Sequence, residues 1–204
     1  VGDHILVFNC QDGEWLAEIT QADKKSGNLT CLTQSKAPQL PPDLWLFFAP
    51  IKKTRTDFIV EKATELGAKR ICPVQTAFTN SERIRRDRLQ AHAVEAAEQC
   101  GGTYVPTIGE FQKLKAVLER WPKDRSLLFC DETQSGAVSS FAALAPEPCA
   151  ILIGPEGGFH AAERQQISNL PNAHCISLGP RILRADTAVV TALSLWQAHQ
   201  GDWR

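Results

Sequence analysis

The sequence predicts an α/β protein: a mostly parallel sheet with helices on both faces, preceded by a smaller β unit. Three observations lead there. Short continuous apolar runs, such as Leu44 to Ala49 and Leu127 to Cys130, have the pattern of strands buried on both faces. These runs alternate with segments whose apolar residues recur at helical spacing. Before Pro42 the rhythm differs, with short strand-like runs joined by tight turn chemistry.

In chain order, Ile5 to Phe8 is an apolar run, Asn9 to Gly13 a turn, and Trp15 to Ile19 an alternating strand. Lys24 to Asn28 is a second turn and Leu29 to Leu32 a third strand. Three such strands are part of a small barrel or sheet and do not close a core alone. Pro38 to Pro42 reads as a stiff linker, which places a domain boundary at 41–42 and divides the chain into 1–41 and 42–204. After the strand at Leu44, a helix carries Ile59, Ala63 and Leu66 on one stripe, and Gly67 is placed to end it. Ile71 to Val74 is a strand. Asp87 to Cys100 is a helix with Leu89, Ala93, Ala96 and Cys100 on one side, and Phe111, Leu114, Leu118 and Trp121 mark another. Leu127 to Cys130 and Ala150 to Ile153 are buried strands. Ala161 to Ile167 is helical, Cys175 to Leu178 is a strand, and Thr187 to Ala198 is a helix apolar almost all round.

Over 204 residues, 43% hydrophobic content suffices for a packed core, and a net charge of −1 excludes a protein that coats nucleic acid nonspecifically, though not local basic patches. The seven cysteines form no C-x-x-C pair, and the five histidines are scattered. Buried reduced thiols are expected, with no metal site and no disulfide framework. No apolar run reaches the length of a membrane span, and no signal peptide precedes the first strand. The cytoplasm is the expected compartment. The chain opens on Val1 and contains no methionine, so a preceding segment is expected.

Two loops carry the chemistry. Gly154-Pro155-Glu156-Gly157-Gly158-Phe159 follows one buried strand, and Leu178-Gly179-Pro180-Arg181-Ile182-Leu183-Arg184 follows another. Ligands of open α/β sheets bind in loops at the carboxyl ends of strands, and glycines let backbone groups approach a flat ligand closely. From the residues alone this is a pocket for a nucleotide-like cofactor; the plainer reading is that the glycines only turn strand into helix. Neither loop fits the dinucleotide or the phosphate-cradling pattern, and no G-x-S-x-G elbow is present.

Taken together, the loops resemble those of the bacterial uridine-N3 methyltransferases of 16S ribosomal RNA, a family of knotted SPOUT methyltransferases. The matching segments are I-L-I-G-P-E-G-G-F at 151–159 followed by Glu163, L-G-P-R-I-L-R-A-D-T-A at 178–188, K-K-T-R-T-D-F-I-V-E-K-A-T-E-L-G at 52–67, and E-A-A-E-Q-C-G at 95–101. Asp186 stands where the family often has Glu, and Gly102 where it often has Arg. The resemblance implies a SPOUT-type sheet with a C-terminal deep trefoil knot, preceded by a partial PUA-like RNA-binding β-barrel domain. It implies S-adenosylmethionine as cofactor, 16S ribosomal RNA or the small ribosomal subunit as partner, a uridine of the decoding region as target, and a homodimer with the site at its interface.

By the same resemblance the cofactor would be held by Cys130, Ile153, Gly154, Pro155, Glu156, Gly157, Gly158, Leu178, Gly179, Ile182, Leu183, Thr187 and Ala188. The catalytic candidates are Arg184 first and Arg181 second, because both leave the second loop and an arginine beside a uracil oxygen stabilises the developing anion. A salt bridge from either to Glu156 or Asp186 is the structural alternative. Glu156 is read as holding its loop rather than acting as a base. Arg83, Arg85, Arg86 and Arg88 form one phosphate-binding patch and Lys52, Lys53 and Arg55 a second, with Glu98 and Gln99 marking the uridine-N3 group. The rival readings are a knotted methyltransferase acting on a ribose hydroxyl or another base, a catalytically silent RNA-binding protein, and a phosphate or nucleotide sensor.

Overall fold

The computed structural model describes residues 1–81, 83–131 and 148–204. By its contacts the chain divides into two compact units. The first comprises Val1–Leu40 with Ala97–Val105, the second Pro41–Ala96 with Pro106–Arg204.

The first unit is an antiparallel sheet of β1 (His4–Asn9), β2 (Gly13–Ala22) and β3 (Gly27–Lys36), in that order. The β1–β2 turn is an Asx turn. Asn9 Oδ1 accepts from the backbone N–H groups of Gln11 and Asp12 at 2.8 and 2.6 Å, and Gly13 takes φ +76°. β2 and β3 run well past the apolar alternation. Their outer ends pair polar residues instead: Thr20 Oγ1 donates to Asn28 O, and Asn28 Nδ2 to Gln21 Oε1 at 2.8 Å. Residues 97–105 join this unit through hydrogen bonds to the end of β3 and the residues after it. Lys36 Nζ donates to Gly101 O, and Thr103 Oγ1 accepts from Gln39 N at 2.8 Å.

The second unit is a sheet in the order β10-β8-β9-β4-β5-β6, and its strands pair in parallel. The strands are β4 (Leu44–Phe48), β5 (Arg70–Gln75), β6 (Thr107–Ile108), β8 (Ser126–Cys130), β9 (Cys149–Ile153) and β10 (Ala173–Ile176), with a short β7 (Gln112–Lys113) also paired to β5. Every residue of β9 is buried, as its unbroken apolar run requires. The helices are α1 (Lys53–Glu65), α2 (Arg86–Cys100), α3 (Leu114–Leu118), α4 (Ala161–Ser168) and α5 (Ala185–His199).

Side-chain alternation divides the sheet into two cores. Phe47, Cys72, Val74, Leu127, Phe129, Ala150 and Leu152 point to one face and pack with Leu114 and Leu118 of α3 and Ile167 of α4. α5 packs on α1 and on β9. Its inner stripe of Ala188, Val189, Ala192, Leu193 and Trp196 is buried. Each fully buried Leu, Ile or Phe contributes roughly 1.5–3 kcal/mol. Gln197, fully buried, ties the two helices. Its Nε2 donates to Leu66 O at 2.7 Å, just before Gly67, whose φ of +73° ends α1 as expected.

Two expectations change. The helix expected around Phe111 to Trp121 is shorter: Gln112–Lys113 pairs with β5, and helix forms only over Leu114–Leu118. The strand expected at Cys175 to Leu178 is shifted to Ala173–Ile176, because its partner β8 ends at Cys130, opposite Ile176. Residues 177 and 178 are thereby released into a loop.

Asp43, just before β4, fixes the start of the sheet. Its carboxylate takes Arg125 Nη2 at 2.7 Å and the Trp45 indole N–H at 3.0 Å, and the Arg125 guanidinium lies 3.7 Å from the Trp45 ring centre. Burial opposes the charge. Even so, the Arg125 hydrogen bond and charge, with Lys69 and Trp45, hold the Asp43 carboxyl below the usual carboxylate range. A carboxyl depressed on folding stabilises above its unfolded value of about 4 and loses that contribution as pH falls through the folded value. Urea unfolding followed from neutral pH into acid therefore shows a smaller loss of stability below about pH 4 in Asp43→Asn than in wild type. Parallel losses in the two proteins would contradict this.

Candidate active site at the strand ends

From β4 the chain continues through α1 to β5 on one side. From β9, β4's neighbour, it continues through α4 to β10 on the other. The loops after these two strands therefore diverge, and this is where open α/β sheets form a crevice. A cavity of about 430 Å³ lies beside it, walled by the ends of β8, β9 and β10, both glycine loops and the start of α5.

The first loop is shaped from within. A Cβ on Gly154 would meet the Phe159 ring at 3.1 Å, and Phe159 is 2% exposed. The ring folds back under the strand end and closes the loop from below. Pro155 O accepts from Gly158 N at 2.8 Å, and Gly158 takes φ +68°. The loop then enters α4, where Glu163 binds two segments at once. Its Oε2 accepts from His160 N at 2.9 Å and its Oε1 from Ala77 N at 2.8 Å, so the turn after β5 is tied to the first loop. In the second loop Gly179 takes φ +112°, and nothing lies within 4 Å of where its Cβ would be. Its backbone face is therefore open to a ligand.

Arg55 links the first loop to the start of α5. It projects from the first turn of α1, and its Nη1 lies 3.7 Å from Glu156 Oε1 in the first loop and 3.7 Å from Asp186 Oδ1 in the first turn of α5. Both distances exceed a hydrogen bond. Arg55 Nη1 and Asp186 Oδ1 are buried and make no hydrogen bond among the described residues. The attraction is thus charge on charge in a partly desolvated place, where each group depends on the other.

Of the expected cofactor residues, Cys130, Ile153, Gly154, Pro155, Glu156, Gly158, Leu178, Gly179, Ile182, Leu183 and Ala188 line the cavity, as do both candidate arginines, Arg181 and Arg184. Two lie off it. Gly157 faces Phe78, whose Cβ would be 3.2 Å from a side chain there, and Thr187 is exposed on α5. Arg181 and Arg184 form no ion pair among the described residues; Arg55 takes the acids, Glu156 and Asp186, that were their alternative partners. The Cys130 thiol is pushed up by burial and by neighbouring Cys175, so it is a neutral wall of the cavity and not a nucleophile. Cys10, Cys31 and Cys100 are exposed, contrary to the expectation of buried thiols; they lie in the polar first unit rather than in a core.

Asp131 lines the cavity and was missed. It is 4% exposed, and its carboxylate is held by Arg164 of α4 through Nε and Nη2. Its place one residue beyond a buried strand is the signal that marks it. Ile176, Ser177 and Ala185 were missed as well.

The basic patches are largely engaged within the protein. Arg85 pairs with Asp87, Arg86 with Glu110 and the Ile108 carbonyl, and Arg88 with Asp57. Arg83, Lys52 and Lys53 are exposed, and so are Glu98 and Gln99. Among the described residues no group of three or more His, Cys, Asp or Glu side chains is placed to hold a metal ion. No described helix is long and apolar enough to cross a membrane.

Residues 38–197 match the RNA methyltransferase domain family, and residues 1–30 match the RNA methyltransferase PUA domain. A Ribosomal RNA small subunit methyltransferase E of Rickettsia conorii is 30% identical over 197 residues, spanning 95% of this chain and 80% of that protein. A solved structure from Legionella pneumophila, described as that of a methyltransferase in complex with the bound cofactor SAM, is 27% identical with a TM-score of 0.83, covering 98% of this chain and 85% of that one. The structure of a Ribosomal RNA small subunit methyltransferase E from Neisseria gonorrhoeae bound to S-adenosyl methionine gives a TM-score of 0.85 over 100% of this chain and 86% of that one; at 24% identity it speaks for the fold. These likenesses bear out the expected α/β fold with its small β unit.

The Arg55 bridge makes a measurable claim. In a double-mutant cycle of Arg55→Ala and Asp186→Ala, read by chemical denaturation, the expected coupling is about 0.5–3 kcal/mol. Losses that add to within about 0.3 kcal/mol would show that the two side chains are independent.

Proposed function

The chain belongs to the ribosomal RNA small subunit methyltransferase E family of RNA methyltransferases, and from that membership we propose that it methylates N3 of a uridine in 16S ribosomal RNA with S-adenosylmethionine as donor. The observation that carries this reading is the convergence of the two glycine loops on one cavity at the carboxyl ends of parallel strands.

The residues fit the cofactor. A cavity of about 430 Å³ is within the range of small-molecule sites. Ile153, Leu178, Leu183 and Ala188 offer apolar surface for an adenosyl group, and the open backbone at Gly179 offers hydrogen bonds to its edge. S-adenosylmethionine carries sulfonium and ammonium charges, and Asp131 and Glu156 put carboxylates in the wall. When bound it supplies an electrophilic methyl group.

The remaining work falls to the chain and the RNA. N3 lies on the pairing edge of uracil, so the base is unpaired or flipped out before it enters. Its N3–H proton is lost before or during transfer, and negative charge builds on the flanking carbonyl oxygens. In this reading Arg184, first in line, or Arg181 donates to one of those oxygens. Both are exposed on the cavity wall without a competing acid among the described residues, which supports the role. Holding base and methyl donor aligned accounts for roughly 7–11 kcal/mol of the barrier. Arg83, Lys52 and Lys53, exposed, are the phosphate contacts of this reading, and Glu98 and Gln99 approach the RNA from the end of α2.

The proposal extends to a cytoplasmic homodimer with a knotted C-terminal segment.

The test uses purified chain, 16S RNA or small subunits, and labelled S-adenosylmethionine. Label enters the RNA, and reverse transcription then stops at one uridine because N3 methylation blocks pairing. Label without a stop would move the reaction to a ribose or another base atom, and absence of label would overturn the proposal. Arg184→Ala keeps cofactor affinity near wild type while transfer falls about 10²–10³-fold, as on loss of an oxyanion donor. Unchanged turnover would remove Arg184 from the mechanism.

A further inference from the structure

Phe78 is a large aromatic left on the surface beside the cavity loops. It is 44% exposed and sits in the turn that follows β5. That turn is rigidly built. Thr76 N donates to Thr79 Oγ1 at 2.9 Å, the two threonine hydroxyls lie 2.9 Å apart, and Thr79 N returns a bond to Thr76 O at 3.2 Å. Ala77 N is anchored on Glu163, the side chain that also caps α4. Phe78 is therefore fixed to the first loop through Glu163 and is not a loose residue on a loop tip.

The ring has neighbours on one side. Gly157 abuts its Cβ and Cγ, and the residues flanking Gly157, Glu156 and Gly158, line the cavity. The His160 ring stands 6.1 Å away at 60°, so it meets Phe78 at a tilt and does not cover it as a stacked partner would. Any side chain at 157 would push on Phe78; the glycine lets the ring lie close against the loop. An exposed aromatic placed so gains little from core burial. Held rigidly, it presents a π-face at low entropic cost, which is what unpaired bases bind.

We propose that Phe78 is a stacking platform for an unpaired base of the RNA strand, seated against the first cavity loop and orienting the strand whose uridine enters the cavity. This rests on the reading of the chain as an RNA methyltransferase. The ligand class is a single-stranded nucleotide. The exposed Arg83 and Arg85, a few residues along the chain, suit the phosphates on either side, although Arg85 shares its charge with Asp87.

The experiment measures binding of a fluorescein-labelled single-stranded 16S fragment to the full chain by anisotropy. Wild type is compared with Phe78→Ala, Phe78→Leu and Phe78→Trp, and cofactor affinity and thermal midpoint are recorded for each. Loss of one stacked base weakens RNA binding about five- to a hundredfold in the Ala and Leu variants. Phe78→Trp stays near wild type, and the salt dependence keeps the wild-type slope because no phosphate contact is removed. Equal RNA affinity in wild type and Phe78→Ala overturns the proposal. So does Phe78→Leu at wild-type affinity, which would leave only bulk, and so does a parallel loss of cofactor affinity, which would make Phe78 a support of the loop. Because the readout is binding, a wild type that binds RNA but transfers no methyl would defeat the methyltransferase reading while still deciding the role of Phe78.

Discussion

The site depends on holding the first glycine loop, after β9, to the starts of α1 and α5. The chain leaves β4 toward one edge of the sheet and β9 toward the other, and α5 packs on α1 and β9. Arg55 is the charge that faces both Glu156 and Asp186 across that gap. The half-buried Asp186 depends on that cation, while the more exposed Glu156 is screened by solvent, and removing Arg55 leaves the two carboxylates without a shared cation. At 3.7 Å the contacts are electrostatic and less directional than hydrogen bonds, so the first loop and the start of α5 can adjust without losing their attraction to Arg55.

Around that bridge each wall is supported by packing at its rear. Phe159 turns back under Gly154 and gives the first loop an apolar floor. Glu163 ties that loop to the turn after β5. Asp131 is held against α4 by Arg164. The second loop has fewer such ties, the Ser177–Gly179 contact at 3.3 Å among them, and its residues 179 to 182 are exposed. Rigidity is thus uneven, with a braced first loop facing a second whose backbone and arginines are open.

Much of this was legible in the residues. Unbroken apolar runs marked β4, β8 and β9 because strands buried on both faces have no polar side to show. The Asn9–Gly13 turn and the stop at Gly67 followed from side-chain oxygens and a positive φ. Most of the cavity wall followed from placing glycine loops after strands, helped by the family resemblance. What escaped was set by pairing in space. Polar residues extend β2 and β3 because their partners satisfy them, and Gln112–Lys113 is strand rather than helix because β5 lies alongside. Arg55, grouped with the phosphate-binding lysines, belongs instead to the loops, and Arg86 and Arg88 of the arginine run are bound to α1 and to the β6 region. Spacing shows charge but not the carboxylate that answers it, when that partner lies far along the chain.

On the proposed function, the turns at 154–159 and 178–184 form a single cofactor site. Hydrogen–deuterium exchange of the full chain with and without S-adenosylmethionine addresses it directly. Saturating cofactor is expected to slow exchange in both turns together and at the end of β8 near Asp131. Protection of only one turn, or of neither while the cofactor is bound elsewhere, would contradict it.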